Sequence, residues 1–231
     1  MIKGRLSNNK CKIDISVLVF VMLRLVLIKA NKELILKQAV ETLKKGSILA
    51  YPTETFYALG VKFDIDDSLK KLYEVKQRPK DKAMPLIIGK KGLLPLIAQS
   101  ANPRALFLME RFWPGPLTMI LFAKGNISSY ITAGTGRVAV RIPGESFALY
   151  LAKRANFPLI ATSANPSGMP PAKDAESVMN YFGDKIDLLI DGGPTRGGLP
   201  STIVDVTGEE IKVLREGAIA RESIKRILDF L

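Results

Sequence analysis

The chain contains no histidine, and its 231 residues include a single cysteine, Cys11. The missing histidines remove serine–histidine and cysteine–histidine nucleophile pairs, imidazole acid–base catalysis and the usual zinc sites. One thiol is too few for an internal disulfide framework or a multi-thiolate metal centre, so a reducing cytoplasm is the expected compartment. Neither GxxxxGK[ST] nor GxGxxG occurs, which sets aside the two familiar nucleotide-binding loops. Internal repeats, low-complexity tracts and a dividing linker are also missing.

Acidic residues are scarce beside basic ones. The 22 Asp and Glu against 34 Lys and Arg leave a net charge of +12, which points to anionic partners such as nucleotides, nucleic acid or acidic lipid. The apolar run "ISVLVFVMLRLVLI" is broken by Arg24 and followed by no small-x-small cleavage site. It falls short of the ~20 apolar residues that cross a bilayer, so no membrane role is expected. Residues 1–22 read as an N-terminal extension outside the fold, with Met22 an alternative start, and residues 23–231 as one domain. A hydrophobic share of 47% is ample for the core of a single α/β unit.

Strands and helices then alternate. A strand is expected over Leu23 to Ile28, followed by a helix capped by Asn31, with Leu34, Ile35, Ala39, Val40 and Leu43 inward and Gly46 at its end. "SILAY" reads as a strand, Asp67 to Val75 as a helix and "MPLII" as a strand; Asn102-Pro103 opens a helix that stops at "WPGP". Further strands are expected at Leu117–Phe122, Val138–Ile142, Leu159–Ala161, Leu188–Ile190, Thr202–Val206 and Ile211–Leu214. The last two are too close for a crossover helix. The predicted class is α/β, a twisted, open, mixed sheet flanked by helices.

Polar residues concentrate at strand ends, where open α/β sheets place ligands. In "YPTETFYALG" the hydroxyls of Thr53, Thr55 and Tyr57 suit a small polar ligand, although Pro52 and Gly60 alone require no more than a turn. "KQRPKDKAMPL" alternates Lys76, Arg78, Lys80 and Lys82 along a stretch stiffened by Pro79: either a solvated charged face or a fork of cations for a polyphosphate. "GRVAVRIPGE" puts Arg137 and Arg141 on one face of a regular strand. Arg141, among apolar neighbours, requires a carboxylate or phosphate partner, structural or bound. In "LIATSANPSG" the small groups of Ser163, Asn165, Ser167 and Gly168 leave room for a ligand; the plainer alternative is a capped loop before a helix near Asp174. "DGGPTRGGLPSTIVDV" and "VLREGAI" add a glycine-rich approach, Ser201 and Arg215.

Taken in order, "YPTETFYALG", "KQRP", "FWPGPLT", "VAVRIP", "ATSANPSG", "STIVDV" and "LREG" resemble the YrdC-type threonylcarbamoyl-AMP synthase family over about Leu25 to Ala218. The resemblance implies a sheet around a large basic concave cavity. It also implies synthesis of L-threonylcarbamoyl-adenylate and pyrophosphate from L-threonine, bicarbonate or CO2 and ATP, with Mg2+ on the phosphates. A tRNA threonylcarbamoyl-transferase complex would use the product at tRNA adenosine 37, and direct tRNA binding fits the same basic character. By motif position, Lys76, Arg78, Lys82, Arg137, Ala161, Pro171 and Arg215 are the implied ATP contacts, and Thr55, Tyr57, Arg141, Ser163 and Ser201 the implied threonine contacts. No metal ligand is implied.

Phe56 and Ala58 stand where the family commonly has valine and glycine, and "PLIIGKKG" lacks a histidine found there in some members, so amino-acid selectivity is less fixed than ATP use. The end at Leu231, soon after "LREGAI", matches the compact single-domain form. Two other readings remain. A non-catalytic RNA-binding module needs only a basic groove, but no RRM or KH signature supports it. The related domain of hydrogenase-maturation carbamoyltransferases belongs to much longer chains with acylphosphatase and zinc-finger segments.

Overall fold

Hydrophobic alternation in the sequence becomes eleven short strands and seven α-helices in the computed structural model, which describes residues 22–229. In chain order these are β1 (Leu23–Val26), α1 (Lys32–Lys44), β2 (Leu49–Pro52), β3 (Tyr57–Gly60), α2 (Asp66–Lys76), β4 (Leu86–Ile87), α3 (Pro103–Phe112), β5 (Leu117–Phe122) and α4 (Ser129–Thr132). There follow β6 (Arg137–Arg141), α5 (Phe147–Ala155), β7 (Leu159–Ile160), β8 (Thr162–Ser163), α6 (Ala175–Phe182), β9 (Leu188–Asp191), β10 (Thr202–Asp205), β11 (Lys212–Arg215) and α7 (Arg221–Leu228). The extension expected over residues 1–22 lies outside the described residues except for Met22, which packs against the core. No helix among the described residues is long and apolar enough to cross a membrane.

The mixed α/β class holds, with the strands partitioned between two sheets. One has the order β1-β9-β2-β3-β8 and the other β11-β10-β5-β6-β4-β7; each combines parallel and antiparallel neighbours. The strands expected over Thr202–Val206 and Ile211–Leu214, too close for a crossover helix, pair antiparallel as β10 and β11. The strand expected at Leu159–Ala161 instead divides. β7 pairs with β4 in the second sheet, whereas β8 pairs with β3 in the first, so Ala161 is the crossing point between the two. Its amide is held by the Pro85 carbonyl at 3.0 Å.

Helix α1 buries Ile35, Leu36, Ala39, Val40 and Leu43 against β2, β9 and α5. Leu34, expected inward, is 60% exposed; at 100° per residue the buried stripe centres near Leu43, between Leu36 and Ala39, and Leu34 falls on the opposite side of the helix. The expected cap by Asn31 also fails. Asn31 occupies the N-cap position, but its side chain turns back to accept from the Ile28 amide and donate to the Val26 carbonyl, both at 2.9 Å. Gly46 does end the helix, at φ +81°, where a side chain is disfavoured. On α3, Asn102 caps as expected, its Oδ1 accepting from the Ala105 amide at 2.8 Å with Pro103 in the first turn. Asp174 does the same for α6 through Ser177.

Candidate functional site

Side chains on a strand alternate between two faces, and the second sheet uses the two faces differently. On β5, Leu117, Met119 and Leu121 enter the core while Thr118 and Ile120 point the other way. On β6, Val138 and Val140 are buried while Arg137, Ala139 and Arg141 share the opposite face, as the spacing of the two arginines predicts. Strand register then sets Thr118 beside Ile203, Ile203 beside Arg215 and Ile120 beside Ala139.

This face floors a cavity of about 610 Å³, within the ~300–1,000 Å³ common for small-molecule sites. The other walls come from the β2–β3 turn, the crossing segment Ala161–Ser163, Arg78, Pro171 and the stretch Gly198–Pro200. Of the residues implied as ATP or threonine contacts, Thr55, Tyr57, Arg78, Arg141, Ala161, Ser163, Pro171, Ser201 and Arg215 line it; Lys76, Lys82 and Arg137 do not.

The three residues off the wall have distinct placements. Lys76, in the last turn of α2, is only 2% exposed and lies under the loop after β8, where its Nζ donates to the carbonyls of Ser163 at 2.5 Å and Asn165 at 2.7 Å. Burial, reinforced by nearby Arg78, pulls it down to about 7. The Lys82 side chain is exposed. Its carbonyl is used instead, accepting from Arg78 Nε at 2.9 Å and from the Tyr73 hydroxyl at 2.7 Å. Arg137 pairs with Asp205 at 3.1 Å, farther along the same sheet face.

Each cavity arginine is held by the protein on one edge. Arg78 Nη2 donates to the Ala83 carbonyl at 2.6 Å, so the stretch after Pro79 curls around the guanidinium, and burial lowers its affinity for its proton. Arg215 grips Ser201 through the backbone carbonyl, at 2.8 Å from Nη2, and through the hydroxyl at 3.3 Å. That hydroxyl also meets Thr118 Oγ1 at 2.8 Å. Burial first, and then the nearby Arg141, draw Arg215 below its ordinary value. Gly217 allows this closeness, because a Cβ there would stand 2.1 Å from the Pro200 carbonyl oxygen. Arg141 pairs through Nη1 with Glu54, the partner its apolar neighbours demanded.

The hydroxyls of "PTET" divide their work. Thr53 Oγ1 pins its own turn, donating to the Phe56 carbonyl at 2.7 Å and accepting from the amides of Thr55 and Phe56. Thr55 faces the cavity. The Tyr57 hydroxyl is committed elsewhere: it donates to the Gly193 carbonyl at 2.7 Å and accepts from the Gly192 amide at 3.1 Å, and burial pushes it up to about 12. Sequence reasoning missed Glu54 and Thr118. Both had a signal: Glu54 is an acid beside a wall that needs a partner for Arg141, and Thr118 breaks the apolar run "LTMILF" at an alternating position.

Three guanidiniums and no carboxylate line the cavity, so it is built for anions. For the same reason it has no acidic cradle for a cation, and the described residues contain no cluster of three or more Asp, Glu or Cys suited to a metal ion. Mg2+ would have to arrive on a ligand's phosphates.

A family profile named Sua5_yciO_yrdC and described as "Telomere recombination" matches residues 41–217. A threonylcarbamoyl-AMP synthase of Pyrococcus abyssi is 37% identical over 186 residues, 80% of this chain and 55% of that protein; one of Vibrio parahaemolyticus is 34% identical over 183 residues, 78% of this chain and 98% of that protein. The chain thus spans about half the length of the Pyrococcus relative. Among solved structures, P. abyssi Sua5 complexed with L-threonine superposes with a TM-score of 0.83 at 34% identity, covering 90% of this chain and 61% of that one.

Proposed function

The chain belongs to the Sua5/YciO/YrdC family, and on that premise we propose that it is a nucleotidyltransferase making L-threonylcarbamoyl-adenylate and pyrophosphate from L-threonine, bicarbonate or CO2, and ATP. The observation that carries this reading is the convergence of Arg78, Arg141 and Arg215 with the hydroxyls of Thr55, Ser163 and Ser201 on one cavity that has no acid on its walls. Such a cavity suits two anions at once, a carboxylate and a polyphosphate. The solved relative with L-threonine bound supports the amino-acid half.

Arg141 takes the threonine carboxylate, with Thr55, Ser163 and Ser201 around the side chain and amine. Arg78 and Arg215 take the nucleotide's phosphates, and Ala161 and Pro171 bound the nucleotide. Lys76 acts from beneath, holding the Ser163–Asn165 backbone in place, while Lys82 and Arg137 serve the rim. The threonine amine adds to the carbon of CO2, giving a carbamate as its proton leaves. A carbamate oxygen then attacks the α-phosphorus of ATP, the bond to the bridging oxygen breaks, and pyrophosphate departs with the electron pair. No side chain forms a covalent bond, in keeping with a chain without histidine. Positioning and fixed positive charge stabilise the transition state, and the enclosing walls keep water from the carbamate.

Residues 23–231 act as one catalytic unit, in the cytoplasm. The product passes to a tRNA threonylcarbamoyl-transferase complex, and the +12 charge favours direct contact with tRNA. The test is pyrophosphate release from ATP with threonine and bicarbonate supplied together or withheld singly. Release that depends on both is expected. RNA binding without any turnover would overturn the reading in favour of a non-catalytic RNA-binding module.

A further inference from the structure

Glu54 has no place in the chemistry above, yet its side chain is only 20% exposed, and so far as the described residues go its sole polar contact is Arg141 Nη1. Its second oxygen, Oε2, is buried and has no hydrogen-bond partner. A buried carboxylate oxygen left unpaired is costly, so packing alone does not account for an acid here. The backbone around it is fixed, because the Thr53 turn is closed by hydrogen bonds to Thr55 and Phe56. Glu54 is therefore a rigidly mounted anion serving one guanidinium.

The guanidinium is held on one edge only. Arg141 Nε and Nη2 have no hydrogen-bond partner among the described residues, and neither is among the buried, unsatisfied atoms. Arg141 lines the cavity while Glu54 stands behind its wall. Five donors in a planar fork allow one edge to be gripped while the other offers two parallel N–H groups to a carboxylate.

We propose that Glu54 is a positioning residue which grips Arg141 by Nη1 and so aims its free edge into the cavity as the seat for an amino acid's α-carboxylate. This rests on the functional reading above and deepens it: affinity for the carboxylate is set one layer behind the residue that touches it. Without the anion, Arg141 on its flexible stem would swing toward the phosphates or the solvent, and the seat would lose its geometry.

The test is calorimetric titration of L-threonine into wild type, Glu54→Gln, Glu54→Asp and Arg141→Lys, and the double variant Glu54→Gln/Arg141→Lys, with steady-state kinetics alongside. Loss of one charge-assisted hydrogen bond that orders a binding group corresponds to about tenfold or more in Kd. Glu54→Gln is expected to raise the Kd and KM for threonine by that factor while the KM for ATP stays within about twofold, and Glu54→Asp, which keeps the charge, is expected to recover part of it. In the Arg141→Lys background the Gln substitution adds little, because the effect runs through Arg141. A wild-type threonine Kd in a folded Glu54→Gln variant would overturn the proposal, as would a tighter Kd, which would mean that Glu54 competes with the ligand. If wild type binds threonine but releases no pyrophosphate, the functional reading falls and the calorimetric comparison still decides the role of Glu54. If wild type binds no threonine, both fall.

Discussion

The two faces of the six-stranded sheet are made by the same strands and differ only in which alternate residues they receive. One face carries Met119, Leu121, Val138, Val140 and Val204 into the core; the other carries Thr118, Ala139, Arg141, Ile203 and Arg215 to the cavity. The first face removes apolar surface from water and is paid for by no lost polar contacts, so it supplies stability. The second keeps Arg141 largely buried and Arg215 at an exposed edge, each tied by one edge of its guanidinium, and so supplies function at some cost in stability. A one-residue slip of register would exchange the two.

The comparison breaks most sharply on the core side. Met119 is fully buried, and Met119→Ala is expected to cost about 2–5 kcal/mol in urea unfolding while leaving turnover per folded molecule unchanged. A lowered turnover per folded molecule would show that the faces are not independent. On the cavity side, Arg78→Ala is expected to cut pyrophosphate release by about a hundredfold or more, as the loss of a fixed charge at a developing anion typically does. Near-normal activity would remove Arg78 from the phosphate site.

Lys76 sharpens the contrast, being a basic side chain that lies in the interior beside the cavity rather than on its wall. Its folded value of about 7 lies below its ordinary value, so between pH 7 and about 10.5 the unfolded chain holds a proton that the folded one does not. Stability attributable to Lys76 therefore rises with pH across that window, and below pH 7 the fold bears the cost of a buried charge. The difference in unfolding free energy between wild type and Lys76→Met should tilt toward wild type as pH rises from 7 to 9; a flat difference would mean that Lys76 stays charged. The smallest effect is expected for Thr118→Val, which loses the bond to Ser201 and costs about 0.5–1.5 kcal/mol, with a modestly weaker grip of Arg215 visible in the KM for ATP.

What the sequence discloses follows the same division. Periodic segments such as Leu117–Phe122 were legible because burial on one face writes an alternating pattern. Local caps were legible at Asn102, where Pro103 follows, and not at Asn31, whose amide found Val26 and Ile28 instead. The division of "LIATS" between two sheets was not legible, because a five-residue stretch carries no record of which distant strand it will join. Family motifs marked nine residues that do line the cavity. They did not mark Glu54, whose role exists only through Arg141, 87 positions away in the chain. Nor did they distinguish Arg78, which faces the cavity, from Lys76, which lies under the loop after β8: Lys76 ends α2 and Arg78 follows its C-cap Gln77, and the two side chains point in different directions.

The central claim is that one cavity holds an amino-acid carboxylate and a nucleotide's phosphates within reach of each other. A crystal structure with L-threonine and a non-hydrolysable ATP analogue bound together tests it most directly. The account predicts the carboxylate on the free edge of Arg141, the phosphates on Arg78 and Arg215, and the threonine nitrogen turned toward the α-phosphate. Ligands lodged in separate cavities, or phosphates bound away from Arg78 and Arg215, would contradict it.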